Sequence, residues 1–193
     1  MIIVKLGGSL YNTPQLELWM QALTQYSEQD SIVIVPGGGP FCDQVRHAQR
    51  HHNLHDKSAH HMAILAMKQF GLLLADIAPT CHILSTLMPT PSPLSIWLPD
   101  DSIILEPNLP QNWTITSDSI ALWLAAKLGA KQLILIKSVP TTTTSITQLT
   151  IDTIIDTGFK TLFNNIDVST CIMHAGQSDH FENYKHQPRL SLP

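Results

Sequence analysis

The sequence predicts an α/β fold built on a largely parallel sheet, and three observations carry that expectation. Short apolar, β-branched runs alternate with longer helical patterns, which is the signature of βαβ units. Two of the strand candidates end in glycine-rich turns, Gly7-Gly8-Ser9 and Gly37-Gly38-Gly39, the usual place for a ligand at the carboxyl edge of an open sheet. The chain has 193 residues, of which 44% are hydrophobic and 13% charged, enough apolar material to fill the interior of one domain.

Taken in order, Ile2 to Leu6 is the first strand, and Gln15 to Gln25 a helix with start signals at Asn12, Thr13 and Pro14. Ser31 to Val35 is a second buried strand, closed by Pro36 and the three glycines. Helices follow from Phe41 to His52 and from Ala59 to Asp76. The second has apolar residues on several faces, so burial on most sides is expected. Ile83 to Leu87 and Ser95 to Leu98 are strand candidates separated by Pro89, Pro91 and Pro93. The stretch 103–113 is irregular. Asp118 to Leu128 is an amphipathic helix ended by Gly129, and Gln132 to Lys137 the next buried strand. Pro140 and Thr141 to Thr144 form a loop, residues 151–164 hold a short helix, and Thr170 to His174 is the last strand. The polar tail from Gln177 onward is expected to fray.

The composition excludes several classes of function. The formal net charge is −4, which offers no attraction to nucleic acid or anionic lipid. No apolar run approaches the roughly 20 residues that span a bilayer, and the apolar start is too short for a signal peptide. A cytoplasmic protein without membrane or nucleic-acid partners is expected. Cys42, Cys81 and Cys171 are far apart and odd in number, as reduced thiols are.

The chemistry concentrates at strand ends. Glycine turns let backbone N–H groups approach an anion, and a following helix N-terminus adds a favourable dipole. Neither turn matches GxGxxG or GxxxxGK[ST], so dinucleotide and Walker-type loops are not indicated. Lys5 is the only charged residue of an apolar strand, a costly place unless its ammonium snorkels from the strand end or meets an anion such as a phosphoryl group. Lys137 ends a strand where a second cation could face Lys5. Ser117 and Asp118 precede a strong helix, and capping is the simpler account of either.

Together these residues resemble the amino acid kinase superfamily, which includes acetylglutamate kinase, aspartokinase and bacterial UMP kinase. The resemblance rests on Lys5-Leu6-Gly7-Gly8-Ser9, on Val35 to Gly39, and on Ser117-Asp118 followed by Leu124 to Ile136. Within the superfamily, Ala59 to Met67, Trp113 to Trp123 and Leu135 to Val139 are similar to the small kinase group of methanofuran-type cofactor synthesis. That group phosphorylates an (aminomethyl)furanmethyl phosphate to the diphosphate.

The resemblance implies a three-layer αβα sandwich, ATP with Mg, a small-molecule acceptor, and assembly as a homo-oligomer. Lys5 and Lys137 would neutralise the phosphoryl group in flight, with Asp118 holding the two ammonium groups in place. Gly7, Gly8, Ser9, Ser117 and Ser138 would lie on the nucleotide side, and Gly37, Gly38, Gly39 and His61 on the acceptor side. The single domain would divide into an acceptor part, about 1–110, and a nucleotide part, about 111–193. The chain departs from the family where many members have Asp-Gly-(Val/Ile)-Tyr, because Val139 is followed by Pro140 and four threonines. Lys160, beyond that loop, is an alternative second lysine. An amino acid or nucleoside monophosphate kinase and a non-catalytic oxyanion-binding relative stay open as alternatives. Among ten histidines, His47, His51 and His55 stand four apart, yet no acidic or thiol partner completes a metal site, and none is expected.

Overall fold

A computed structural model describes residues 1–88 and 92–192. Its centre is one six-stranded sheet, ordered β3-β4-β2-β1-β5-β6, with every pair parallel. The strands are β1 (Ile2–Leu6), β2 (Ile32–Pro36), β3 (His82–Leu84), β4 (Leu94–Trp97), β5 (Gln132–Lys137) and β6 (Ser169–His174). The helices are α1 (Gln15–Tyr26), α2 (Gly39–His52), α3 (Asp56–Ile77), α4 (Ser117–Lys127), α5 (Ile146–Ile151) and α6 (Phe159–Phe163). Helices cover both faces, which is why β1, β2 and β5, apart from Lys5, Gln132 and Lys137, are apolar on both faces rather than alternating.

The period of two along the strands divides the core. Ile3, Val33, Val35, Leu133 and Leu135 face one layer, against α4, α5 and α6. Ile2, Val4, Leu6, Ile32, Ile34, Ile134 and Ile136 face the other, against α1 and the C-terminal segment. Parallel register aligns Leu6 with Pro36 and Ile136, so β1, β2 and β5 deliver their carboxyl ends to one edge. The sandwich expected from the sequence is the one observed.

Four details differ from expectation. First, α4 is buried on all sides from Asp118 to Ala125, while α3, expected to be the enclosed helix, leaves Met62, Leu65 and Leu72 more than a third exposed. Both sequences are rich in apolar residues, and only their position between or outside the packed layers separates them. Second, residues 151–164 hold the expected short helix, α6, but a further helix, α5, precedes it. Ser145 caps α5 by accepting from the Gln148 amide, and Asp156 accepts from the Phe159 amide to start α6. Third, β3 stops at Leu84, short of Leu87, and Pro89 and Pro91 lie outside the described residues. Fourth, Asp101–Leu105 is a 3-10 turn that runs into the stretch expected to be irregular.

The tail does not fray. Residues Ala175–His186 form 3-10 turns packed on α1. Phe181 sits edge-on to Trp19 (5.8 Å between ring centres) and to Tyr26 (5.0 Å), Tyr184 meets Tyr26 at 5.6 Å, and Trp19 Nε1 donates to the Ala175 carbonyl at 2.6 Å. Further on, the Leu190 amide bonds to Thr170 of β6 and the Ser191 amide to Thr144, so the chain covers the β6 edge. Polar composition concealed this because two aromatics and one leucine, spaced along a hydrophilic run, supply the anchoring. No helix among the described residues is long and apolar enough to cross a membrane.

Phe181→Ala is therefore expected to cost about 3–5 kcal/mol, as for other buried aromatics, and to lower the melting temperature by roughly 10 °C at this chain length. A melting curve within about 2 °C of wild type would mean that the tail contributes little.

Candidate active site

The two glycine turns leave the sheet side by side. Gly8 begins a 3-10 turn, Gly8–Leu10, and Gly39 adopts a left-handed φ of +54° at the start of α2, which a glycine takes without strain. Their backbones touch. A β-carbon on Gly8 would lie 2.3 Å from the Gly39 nitrogen, and one on Gly37 would lie 2.5 Å from the Gly8 nitrogen. The Gly37 amide also bonds to the Leu6 carbonyl at 2.9 Å, tying the second turn to β1.

Beside the turns lies a cleft of about 390 Å³ at the carboxyl edge of the sheet. It brings together Lys5, Gly7, Gly8, Ser9, Gly38, Gly39, Ser117, Lys137 and Ser138, all singled out from the sequence. Gly37 is buried behind the wall, pressed on Gly8. His61 is not part of the wall: it turns away to Asp101, 3.0 Å from the carboxylate. The adjacent His60 lines the cleft instead, 4% exposed. On a helix, neighbouring residues point about 100° apart, so only one of the two can face the cleft. Lys160 donates to Thr147 Oγ1 at 2.9 Å and is not among the lining residues.

Asp118 lies behind the cleft wall, paired to Lys5 and Lys137, and is not itself among the lining residues. Lys137 Nζ donates to its Oδ2 at 2.5 Å, and Lys5 Nζ lies 3.0 Å from its Oδ1. The second contact is an ion pair by distance but is off the line of a hydrogen bond, so Oδ1 has no hydrogen-bond donor. All three side chains are nearly enclosed. Burial alone would raise the Asp118 pKa, yet the charges of Lys137 and Lys5 outweigh it and hold the group at about 2. Lys137 is lowered too, chiefly by burial and also by repulsion from Lys5, against the pull of Asp118. The two shifts are compatible, since the carboxylate has two counterions while each ammonium shares one. Asp118 is not the N-cap; Thr116 holds that position.

The residue that sequence reasoning missed is Asp156. Its Oδ2 accepts from the Thr116 amide (3.0 Å), Thr116 Oγ1 (2.8 Å) and the Ser119 amide (3.0 Å). Its Oδ1 accepts from the hydroxyl of Ser119 and from the Phe159 amide at 3.0 Å. One carboxylate thus caps α4 and α6 together and fixes the turn that carries Asp118. Burial first, then the charge of Asp118, pushes its pKa up, against the pull of the Ser119 and Thr116 donors. The available signal was Asp156 ahead of Gly158-Phe159, an ordinary helix-start pattern whose second helix no sequence spacing reveals.

The histidines do not converge. The His47 and His51 rings stack 6.2 Å apart on α2, but that helix ends at His52 with Asn53 in a left-handed conformation, and His55 starts α3. Among the described residues, no group of three or more His, Cys, Asp or Glu side chains could hold a metal ion.

Known proteins share this fold. Residues 1–91 match the amino acid kinase family. The [5-(aminomethyl)furan-3-yl]methyl phosphate kinase of Methanocaldococcus jannaschii is 32% identical over 143 residues, 70% of this chain and 64% of that protein. The match therefore spans less than two thirds of that relative's length. Uridylate kinase from Archaeoglobus fulgidus superposes with a TM-score of 0.71 at 15% identity, covering 97% of both chains. Aspartate kinase from Synechocystis gives 0.70 at 15% identity, covering all of this chain and 40% of that one. The N-terminal 91 residues thus match the amino acid kinase family, and the chain as a whole shares the fold of these two solved kinases.

Two outcomes test the buried carboxylates behind the cleft. Because the Asp118 pKa is depressed when folded, its stabilisation is present above its ordinary value of 3.8 and lost as pH falls through about 2. Wild-type stability should fall across that window, and Asp118→Asn should start lower and show less of the fall. At neutral pH the same substitution leaves two buried ammonium groups without a counterion, an expected cost of about 3–5 kcal/mol by denaturant melts. Separately, Asp156→Ala should destabilise by about 2 kcal/mol or more through the loss of two helix caps. Unchanged melts for either variant would remove these roles.

Proposed function

We propose that the chain is an ATP-dependent phosphotransferase acting on a small phosphorylated metabolite, with (aminomethyl)furanmethyl phosphate as acceptor and its diphosphate as product. One observation carries the reading: two buried ammonium groups, Lys5 and Lys137, share a single carboxylate beside two touching glycine turns. Such a site has surplus positive charge that an arriving phosphate would compensate. The kinase from Methanocaldococcus jannaschii supports the choice of acceptor.

In this reading an oxygen of the acceptor phosphate attacks the γ-phosphorus of ATP. The bond from that phosphorus to the β,γ-bridging oxygen breaks, and ADP leaves with its electrons. Lys5 and Lys137 offset the charge on the equatorial oxygens, and Asp118 keeps both ammonium groups aimed without acting as a base. Gly7, Gly8 and Ser9 offer backbone N–H groups to the ATP phosphates, with Ser117 and Ser138 on the same side, while Gly38 and Gly39 face the acceptor. Gly37 contributes by holding the turn, and His60 takes the acceptor-side place expected for His61. Residues 1–110 would bind acceptor and 111–193 nucleotide.

The residues suit a magnesium ion carried by nucleotide oxygens and water, since both Asp118 oxygens already face lysines. When bound, the ion neutralises phosphate charge. The expected homo-oligomer would use the face of α3 that bears Met62, Leu65 and Leu72.

The test is ADP release with Mg-ATP and a panel of phosphate monoesters and carboxylates. Wild type should turn over a phosphate monoester, giving a product that hydroxylamine does not trap. Lys5→Ala should lower kcat about 10²–10³-fold, comparable with loss of an oxyanion donor. ATP binding without turnover on any acceptor would instead mark a non-catalytic relative, and full turnover by Lys5→Ala would overturn the mechanism.

A further inference from the structure

One part of the cleft wall is not used by the phosphoryl-transfer chemistry. Asp43 and Arg46, one turn apart on α2, both line the cleft, and Arg46 Nη1 donates to Asp43 Oδ1 at 3.0 Å. An exposed pair at this spacing is ordinarily worth little, because two long side chains must be held in one arrangement. Here the arrangement is braced. The Arg46 guanidinium lies 4.5 Å from the centre of the Trp113 ring, and Trp113 also lines the cleft. Trp113 Nε1 donates to Gln49 Oε1 at 2.5 Å, and Gln49 Nε2 donates to Asp56 at 2.8 Å. The bracing therefore runs from the loop before α4 to α2 and the start of α3.

The consequence is a fixed plus–minus pair at the cleft mouth, still open to a ligand: the side chains of Arg46 and Asp43 are 41% and 70% exposed. The guanidinium has one face on indole and one edge on the carboxylate, which leaves N–H groups free for an oxyanion. The Asp43 carboxylate keeps acceptor capacity for a donor cation. Two such poles compensate each other while the cleft is empty, so neither is left unpaired in the free protein. A ligand carrying one charge satisfies one pole and must compete with the other.

We propose that Asp43 and Arg46 select a zwitterionic acceptor, with the guanidinium taking a phosphate oxygen and the Asp43 carboxylate taking an ammonium group on the same small molecule. This rests on the phosphotransferase reading for what happens next, but the selection itself is a property of binding. Asp43 is the specificity-determining member, because a phosphate alone is already served by the lysines, the glycine turns and Arg46. Removing the Asp43 charge abolishes the preference for the amine without abolishing phosphate binding.

The experiment is a titration without nucleotide, read by intrinsic tryptophan fluorescence, with Trp113→Phe identifying the signal that comes from the cleft. The probes are 4-(aminomethyl)benzyl phosphate, benzyl phosphate and benzylamine. Wild type should bind the aminomethyl phosphate at least 10-fold more tightly than benzyl phosphate. Asp43→Asn should erase that difference and bind benzyl phosphate as well as wild type does, or better. Arg46→Met should weaken both phosphates about 10-fold or more, and thermal melts should show both variants folded. Equal wild-type affinity for the two phosphates, a preference that survives in Asp43→Asn, or no binding of any probe at millimolar concentration would each overturn the proposal. Because no ATP is present, the outcome stands apart from turnover: a protein that selects the zwitterion yet transfers nothing refutes the kinase reading alone.

Discussion

Three buried charges, two positive and one negative, set the terms for the rest of this molecule. Lys5 and Lys137 lie on neighbouring parallel strands and reach the same carboxylate, which α4 brings over the strand ends. Enclosing them is expensive, and one carboxylate cannot satisfy two ammonium groups. The surrounding structure holds them in place. The strands are locked by continuous apolar faces, α4 is buried on every side, and Asp156 fixes the first turn of α4 with four hydrogen bonds. A cluster so constrained cannot relax by moving its charges apart, and an anion arriving beside it would offset the surplus positive charge.

Much of this was legible in the residues. A lone lysine in an apolar strand, followed by glycines, marks a strand end that meets something charged, and Lys137 is a second strand-end lysine four strands later. The parallel sheet then follows from helices covering both faces. What the residues could not reveal was distance in three dimensions. Whether Asp118 caps its helix or holds two lysines depends on where β1 and β5 end relative to α4. Asp156 is invisible for the same reason, since its partners are 37 and 40 positions away. The choice between His60 and His61 depends on the rotation of α3, which its broad apolar composition leaves undetermined.

The misjudged tail has a related cause. Average polarity treats residues 177–192 as solvent-loving, but Phe181, Tyr184 and Leu190 decide their fate. Each finds a place prepared by a distant element: Trp19 and Tyr26 on α1 for the aromatics, and the β6 edge for the segment around Leu190. Together they cover one end of the sheet, while β3, only three residues long, makes a short edge at the other.

The contact between the glycine turns has a consequence for how this site tolerates change. The obstacle to a side chain at Gly8 is the backbone nitrogen and α-carbon of Gly39, and at Gly37 it is the backbone of Gly8. Trimming a neighbouring side chain cannot make room, because no side chain is in the way. Suppressor substitutions of the ordinary kind are therefore closed to these positions. Relief would require a different backbone path at the ends of two central strands, where the parallel register of β1 and β2 allows no slack. The paired turns behave as one inherited part, kept or lost together.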